Sequence, residues 1–232
     1  EISACLVGSE MCIRDRVAAY YLDNLLNDNM ILGISWGNTM YHTVKAVKTS
    51  KNIPITVVPI MGAANVRTPE RDSLDLSKEL AYAYGGTYHY IYAPLFVNSE
   101  EVRDSLEQEP NIKGCLELAR NADIILTSVG SIVYKSWKSY LSTRDLYNLE
   151  KKGAIGHIGG HFYDMEGNEV VTPFVNKMIG LGIEDIKNTE NVICVAGLEM
   201  KAEAILGVVR GGYINTLITD EEAAKAVLEL CK

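Results

Sequence analysis

Residues 31–40 read ILGISWGNTM, and this stretch decides the fold. Its first five residues are small or apolar and include β-branched isoleucines, which is typical of a buried strand in a parallel sheet. Gly37-Asn38-Thr39 follows as a turn, and Met40, Val44 and Val47 then recur at helical spacing. The stretch therefore predicts a strand, a glycine-containing turn and the start of a helix.

The turn at Gly37-Asn38-Thr39 has the features of an anion site. The first-turn N–H groups of a helix lack partners, and the helix dipole adds positive charge, so such a turn binds phosphate or carboxylate. Gly37 allows close approach of the backbone, and Thr39 supplies a hydroxyl donor. The same residues also occur in turns that serve only as caps, so both interpretations stay open.

Composition limits the classes of protein. The 232 residues suffice for one large α/β domain or two small ones. No apolar run approaches the roughly 18 residues that span a bilayer, so no membrane partner is expected. The net charge of −8 argues against direct binding of nucleic acid by this chain. Five scattered cysteines without a CxxC motif indicate reduced thiols in a cytoplasmic protein, and neither a metal nor another cofactor is predicted.

The first sixteen residues, EISACLVGSEMCIRDR, are treated apart from the rest. They resemble a translated sequencing-adapter tract and show no convincing helical or strand period. We therefore expect 1–16 to be non-native and a single domain to cover 17–232, with a genuine irregular extension as the alternative.

From Val17 onward, strands and helices alternate. This pattern predicts an α/β fold with an open, mainly parallel sheet and helices on both faces. A small β-hairpin is expected at 161–171, turning at Met165-Glu166-Gly167, and Thr219 is the expected N-cap of the last helix. Strands are predicted at 31–35, 53–60, 88–92, 123–127, 192–196 and 214–218, and helices at 17–26, 40–47, 74–83, 99–108, 112–122, 200–209 and 220–230.

Ligands of such sheets bind beyond the carboxyl ends of the strands. Four glycine-containing turns follow apolar strands, at Gly37, Gly62, Gly130 and Gly197. Lys201 comes soon after the last turn and could hold a phosphate as a point charge, or it could be a solvated lysine.

Other polar residues have two interpretations each. Asp164, in the predicted hairpin turn, could accept hydrogen bonds from sugar hydroxyls or could serve the turn itself. Arg67 and Arg71 could bind a second phosphate, although solvated loop arginines are slightly favoured. His157 and His161 have a spacing that suits metal binding on a helix, but the glycines around them disfavour a helix. Lys135 and Lys138 could form a Schiff base with a sugar aldehyde, yet surface lysine is the favoured interpretation.

Several motifs, in their order and approximate spacing, resemble the sugar-binding effector domain of SorC/DeoR-type transcriptional regulators over residues 17–232. They are GISWGNT (33–39), VPIMG (58–62), Asn121-Ala122-Asp123, GAIG (153–156), FYDMEG (162–167), VAG (195–197), Lys201 and LITDE (217–221).

The resemblance implies a fold like that of the NagB/RpiA/CoA-transferase group, used to sense a phosphorylated sugar. It implies that Gly37, Asn38 and Thr39 bind the phosphate, that Lys201 reaches it, and that Asp164 holds sugar hydroxyls. Gly62 and Gly130 would line the pocket. The effector would alter operator binding by a separate N-terminal helix-turn-helix segment, which we expect to be absent from this chain. Self-association into a homo-oligomer is also expected.

Two departures from the family pattern qualify the resemblance: the expected absence of the DNA-binding segment and the residue at position 198. The family often has a second glycine where this chain has Leu198, which would narrow the approach of a ligand to the backbone. A phosphosugar isomerase or deaminase on the same fold is the alternative function. Ribose-phosphate isomerases carry an Asp-Gly-Ala-Asp-like segment, whereas residues 127–131 read TSVGS and hold no carboxylate, so an enzyme is disfavoured.

Overall fold

The computed structural model describes residues 5–7, 11–64, 72–132, 137 and 141–232. The strands are β1 (Cys5–Val7), β2 (Ile31–Ile34), β3 (Thr56–Pro59), β4 (Thr87–Tyr88), β5 (Ile124–Thr127), β6 (Val129–Ser131), β7 (Gly156–Ile158), β8 (His161–Tyr163), β9 (Asn191–Val195) and β10 (Thr216–Asp220). The helices are α1 (Met11–Leu25), α2 (Asn38–Ala46), α3 (Ser73–Tyr84), α4 (Glu100–Glu107), α5 (Pro110–Arg120), α6 (Thr143–Lys151), α7 (Ile183–Asn188), α8 (Ala202–Arg210) and α9 (Glu221–Leu230).

Seven of the described strands form one sheet in the order β1-β10-β9-β5-β2-β3-β4. Every neighbouring pair in this sheet is parallel. Strands β6, β7 and β8 form a small antiparallel sheet beside it. The predicted fold class, a mainly parallel α/β sheet with a small hairpin, is confirmed.

The large sheet is buried on both faces. On β5, Ile124 and Leu126 pack into one hydrophobic cluster, while Ile125 packs into the other. The first cluster includes side chains of α1, α2 and α3, and the second includes side chains of α5 and α8. Burial on both faces explains why the strands read as continuous apolar runs instead of alternating patterns.

Most helix ends follow from the local sequence. Asp72 accepts a hydrogen bond from the Leu74 N–H at the start of α3, and Gly85, with φ of 72°, ends that helix in the left-handed conformation. The prediction of Thr219 as the N-cap of α9 is wrong. Asp220 takes that role, because its carboxylate accepts a hydrogen bond from the Ala223 N–H.

The tyrosine-rich strand predicted at 88–92 is shorter than expected. Strand β4 ends at Tyr88, at the edge of the sheet. Beyond it, the rings of Tyr88, Tyr90 and Tyr92 pack edge to face on one another, with centroids 5.0 and 5.5 Å apart. Alternating tyrosines therefore reflect ring packing along an extended edge segment as well as strand pairing.

The predicted hairpin at 161–171 is present as a short paired turn, since the Val170 N–H donates to the Phe162 carbonyl at 2.7 Å, and a second antiparallel pair that was not predicted precedes it. Strands β7 and β8 pair through a turn at Gly159 and Gly160, whose φ angles of 57° and 91° suit glycine. At the predicted turn around Glu166, a single antiparallel bridge joins Tyr163 to Glu169. Strand β8 therefore lies between two turns, one at the glycine pair and one around Glu166.

The first helix begins at Met11, six residues before the predicted start at Val17. Strand β1 also comes from the first sixteen residues, and it pairs with β10. The non-native origin of 1–16 stays a prediction. None of the helices in the described ranges is long and apolar enough to cross a bilayer.

Candidate functional site

A cavity of about 470 Å³ opens at the carboxyl ends of β2, β5 and β9. The chain runs outward from β2 through β3 to β4 and then returns to the other side of β2 with β5, so the strand order reverses between β2 and β5. This is where open α/β sheets bind ligands. A hydrogen bond joins the carboxyl ends of β2 and β5, because the Thr127 hydroxyl donates to Ser35 Oγ at 3.0 Å.

The N-terminus of α2 lies at this cavity. Gly37, Asn38 and Thr39 all line it. Gly37 is the N-cap, with φ of 125° and ψ of 173°, a conformation that suits only glycine. Within the described ranges no side chain caps this helix, whereas Asp72, Ser99, Ser142 and Asp220 each cap another helix. The first-turn N–H groups of α2 are thus left for a ligand.

Lys201 brings a cation to the same cavity. Its side chain is half-buried, and its Nζ donates a hydrogen bond to the Val129 carbonyl at 3.0 Å. Burial lowers the pKa of Lys201, and the positive charge of Arg14 acts in the same direction, while Cys194 and Asp220 oppose the shift. An ammonium group has three N–H donors, so two remain beyond the bond to Val129. A bound anion would compensate for the desolvation of this charge.

His157 also lines the cavity and was missed as a ligand-facing residue. It lies opposite Gly130 in the β6–β7 pair, and its ring packs on Trp137 and Phe162 at centroid distances of 5.0 and 5.5 Å. Burial and the charge of Lys201 lower its pKa to about 3, so the imidazole is neutral at physiological pH. Its buried Nε2 has no hydrogen-bond partner among the described residues, so it could form a hydrogen bond with a ligand hydroxyl.

Two tryptophans contribute an aromatic surface to the cavity. Trp36 follows β2 and Trp137 lies in the segment after β6, and their ring centroids are 6.0 Å apart. Aromatic faces pack well against the C–H face of a sugar ring, because both surfaces are apolar. The cavity therefore combines an aromatic surface with polar groups from Lys201 and the start of α2.

Arg14 is a further cavity residue that the sequence interpretation did not consider. It is buried on α1, its Nε and Nη2 donate to Asp15 Oδ1 at 3.0 and 2.8 Å, and its Nη1 lies 3.8 Å from Asp220 Oδ2. Arg14 belongs to residues 1–16, which were expected to be non-native and to lie outside the domain. Its charge is already balanced by these two carboxylates.

The predicted site residues fall into three groups. Gly37, Asn38, Thr39, Gly130 and Lys201 line the cavity together. Two others are placed elsewhere, and four lie outside the described residues: Arg67, Arg71, Lys135 and Lys138.

Gly62 and Asp164 serve the fold. Gly62 follows Met61, which lines the cavity, but its own N–H donates to Ile179 and a Cβ there would lie 2.6 Å from the Pro94 carbonyl oxygen. Asp164 Oδ1 accepts hydrogen bonds from the N–H groups of Glu166 and Asn168, at 3.0 and 2.8 Å. Of the two interpretations of Asp164, this geometry matches the one in which the carboxylate serves its own turn.

The two histidines considered for metal binding lie in different surroundings. His161 Nδ1 lies 2.8 Å from Glu169 Oε1, and its Nε2 lies 2.9 Å from the Leu181 carbonyl oxygen. His157 faces the cavity instead. Within the described ranges, no group of three or more His, Cys, Asp or Glu side chains is placed to hold a metal ion.

We expect Gly130→Ala to weaken both the fold and the site. A methyl group at residue 130 would collide with the imidazole of His157, which Trp137 and Phe162 hold from two sides. Such overpacking costs about 1–3 kcal/mol. Urea unfolding should report this loss, and an unchanged midpoint would show that the ring has room to move. His157→Ala in the Gly130→Ala background should restore part of the stability, because it removes the colliding ring.

Comparison with known proteins places this geometry in a family. The chain is 28% identical over 218 residues to the uncharacterized transcriptional regulator YjhU of Escherichia coli K12, and 27% identical over 215 residues to the deoxyribonucleoside regulator of Bacillus subtilis 168. These alignments cover 92% of this chain but only 66% and 69% of the two relatives. The chain thus spans about two thirds of their length.

A solved structure of another transcriptional regulator has the same fold as this chain. The crystal structure of a transcriptional regulator from Streptococcus pneumoniae TIGR4 superposes with a TM-score of 0.93 and is 25% identical, covering 99% of this chain and 92% of that chain. The Sugar-bind family model, described as "Putative sugar-binding domain", matches residues 14–229. The chain therefore belongs to the family of sugar-binding domains found in SorC/DeoR-type transcriptional regulators.

Proposed function

We propose that this domain binds a phosphorylated sugar in the cavity and acts as the effector-sensing part of a transcriptional regulator. The observation that carries the proposal is the α2 N-terminus, which no described side chain caps and which shares one cavity with the half-buried Lys201. Backbone N–H groups and an ammonium group are the donors that phosphate prefers. Gly37, Asn38, Thr39 and Lys201 are the proposed phosphate ligands.

The sugar portion would occupy the rest of the cavity. His157 Nε2 offers a hydrogen bond to a hydroxyl, and Trp36 and Trp137 offer apolar contact with ring carbons. Gly130 supports this arrangement, because only a glycine leaves room for the imidazole. We do not assign a ligand contact to Gly62 or Asp164, whose hydrogen bonds serve the fold.

A binding role is favoured over an isomerase. Proton transfer at a sugar carbon needs a positioned base, which is commonly a carboxylate. Among the described residues that line the cavity, none is an aspartate or a glutamate. The relatives named above are likewise called regulators, and none of their names describes an enzyme.

The wider role follows from the family. We propose that the intact protein acts in the cytoplasm as a homo-oligomer, and that the bound sugar phosphate alters how a DNA-binding segment recognises its operator. A chain with a net charge of −8 is poorly suited to contact DNA itself, so that contact is assigned to the part of the protein beyond this domain.

A thermal-shift screen would test the proposal directly. The chain is melted with each of a panel of phosphorylated sugars and with the matching free sugars, and NMR follows each hit for turnover. A ligand that binds only the native state raises the melting temperature, by an amount that grows with its concentration. Stabilisation by phosphorylated sugars without turnover supports a sensor. Turnover would identify an enzyme, and stabilisation by no phosphosugar would leave the α2 turn as a structural feature.

Thr39→Ala tests the phosphate position. We expect about a tenfold loss of affinity for a sugar phosphate that binds, because a charge-assisted hydrogen bond is removed. Affinity for the free sugar should not change. Thr143→Ala is the matched control, since Thr143 also lies in the first turn of a helix but is exposed and away from the cavity. Equal losses for phosphorylated and free sugar, measured by calorimetry, would contradict the assignment.

A further inference from the structure

The edge of the large sheet at β4 carries a row of tyrosines. The rings of Tyr82, Tyr88, Tyr90 and Tyr92 pack edge to face in that order, with centroids 5.7, 5.0 and 5.5 Å apart. The side chains at the two ends of the row, Tyr82 and Tyr92, are 64% and 71% exposed. Tyrosine is enriched where proteins meet, because its ring is apolar while its hydroxyl tolerates water. The row therefore marks a candidate contact surface.

The backbone of this segment is open on its outer side. The N–H groups of Thr87 and His89 donate to backbone carbonyls of the neighbouring β3 segment, so these two residues face β3. Successive residues of an extended chain alternate in direction, so Tyr88, Tyr90 and Tyr92 turn their N–H groups away from β3. Among the described residues, none of these three N–H groups has a backbone acceptor. An edge with open donors can pair with a further strand.

The local sequence does not protect this edge against pairing. Natural sheets commonly guard an exposed edge with lysine, proline or a bulge. Residues 87–92 read TYHYIY and contain neither lysine nor proline. Residues 80–99 also hold no Asp, Glu, Lys or Arg, although these four types make up 22% of the chain. A surface segment of this composition is suited to contact with another protein surface.

The charge of the chain indicates which partner this edge fits. With a net charge of −8, two copies of the chain repel each other, and this repulsion is smallest over the uncharged segment 80–99. A strongly basic partner would gain no charge pairing at this segment. An edge strand is also self-complementary, because two identical strands can pair antiparallel about a two-fold axis. The partner that fits both observations is a second copy of this chain.

We propose that two copies of this domain join through their β4 edges and form one continuous sheet. The proposal rests on the homo-oligomer proposed above and is independent of the ligand. The two-fold axis passes through Tyr90, the middle one of the three outward-facing residues, so Tyr88 lies opposite Tyr92 of the partner subunit. Residues directly opposite in an antiparallel pair point to the same face, so the tyrosines of both copies form one aromatic face. None of these tyrosines lines the cavity.

Analytical ultracentrifugation of the wild type and two variants tests the interface. Tyr90→Pro removes an outward N–H, which a sheet edge tolerates, and Tyr92→Lys places a charge at the edge. We expect a dimeric wild type, and each variant should raise the dimer dissociation constant by about tenfold or more. Tyr147→Lys is the matched control, because Tyr147 is 62% exposed on α6, and its replacement should leave the dimer unchanged. Circular dichroism checks that each variant is folded.

Cysteine cross-linking tests the position of the two-fold axis. The background carries serine at every cysteine except the buried Cys115 and Cys194. Across the proposed axis, the two Cα atoms of residue 90 lie about 5.5 Å apart, which suits a disulfide, whereas those of residue 87 lie about 20 Å apart. Tyr90→Cys should therefore give a covalent dimer on oxidation, and Thr87→Cys should not.

The outcomes separate the interface from the proposed function. A monomeric wild type would overturn the second copy as the partner and leave the edge to a strand of another protein. A dimer that neither edge variant weakens, or equal cross-linking at residues 87 and 90, would show that the copies meet elsewhere. Calorimetry with sugar phosphates is run on the same wild-type sample. A dimer that binds no sugar phosphate would overturn the proposed function and leave the interface standing.

Discussion

Lys201→Met is expected to reduce the affinity for a sugar phosphate by about a hundredfold, which corresponds to about 2.7 kcal/mol. The half-buried ammonium group at the cavity is the proposed partner of the phosphate charge, and methionine has a similar length without its donors. The free sugar should lose much less affinity. Calorimetry with the phosphorylated and free forms of one sugar would measure both effects.

Lys152→Met provides the matched control for this variant. Lys152 Nζ also donates to a valine carbonyl, that of Val171 at 2.9 Å, but Lys152 is exposed and lies away from the cavity. Its replacement should leave sugar phosphate binding unchanged. Lys201→Met will also lose some stability, about 1–3 kcal/mol, because the buried Val129 carbonyl loses its donor. Binding should therefore be measured well below the melting temperature of the variant.

The pH dependence of binding offers an independent check on Lys201. Burial lowers the pKa of this lysine, so it loses its proton at a lower pH than an ordinary lysine. An anionic ligand favours the protonated form, so affinity should fall as pH rises from neutrality through the lowered pKa. His157 adds nothing to this profile, since its pKa of about 3 keeps it neutral. If Lys201→Met kept the same decline in affinity, Lys201 could not be its cause.

Gly37→Ala is expected to remove most sugar phosphate binding, with a loss of about a hundredfold or more. The φ and ψ angles of Gly37, 125° and 173°, lie in a region that only glycine populates freely. An alanine would meet no atom there, so its effect is purely conformational. It would rotate the turn and misdirect the first-turn N–H groups of α2. The free energy of unfolding should also fall, by about 1–3 kcal/mol.

Gly114→Ala is a matched control for Gly37→Ala. A Cβ at residue 114 also meets no atom, but Gly114 lies inside α5 with ordinary helical angles. Alanine is preferred over glycine in a helix by about 0.5–1 kcal/mol, so this variant should be more stable than the wild type and should bind normally. Urea unfolding of both variants gives the comparison. A Gly37→Ala protein as stable as the wild type would show that the turn adapts to a side chain.

Much of the fold could be predicted because its signals are local. Apolar runs such as that of β5, all four residues of which are buried, mark strands of a sheet covered on both faces. Glycine at residue 85 marks the end of α3 through its left-handed angle. The cap of α9 was harder to identify, because Thr219 and Asp220 are adjacent and either could serve. Asp220 also accepts the Leu198 N–H, a contact between distant parts of the chain that the local sequence does not show.

The cavity residues expected from the sequence are those that lie in turns, whereas those brought to the cavity by tertiary contacts were not expected. Gly37, Asn38 and Thr39 were identified because a strand, a glycine and a helix start follow one another in sequence. His157 lines the cavity and lies opposite Gly130, in a sheet pairing that the sequence did not reveal. Asp164, in contrast, was expected to contact the ligand, but its hydrogen bonds are made within its own turn. A carboxylate in a turn looks the same in sequence whether it binds a ligand or bonds to its own backbone.

The intrinsic fluorescence of Trp36 and Trp137 can report ligand binding without an added label. The chain has only two tryptophans, and both line the cavity, 6.0 Å apart at their ring centroids. Indole emission responds to the polarity and the quenching groups around the ring, and here all of it arises beside the candidate site. A titration of unlabelled protein followed by intrinsic fluorescence would therefore monitor occupancy of this cavity, without a contribution from tryptophan elsewhere in the chain.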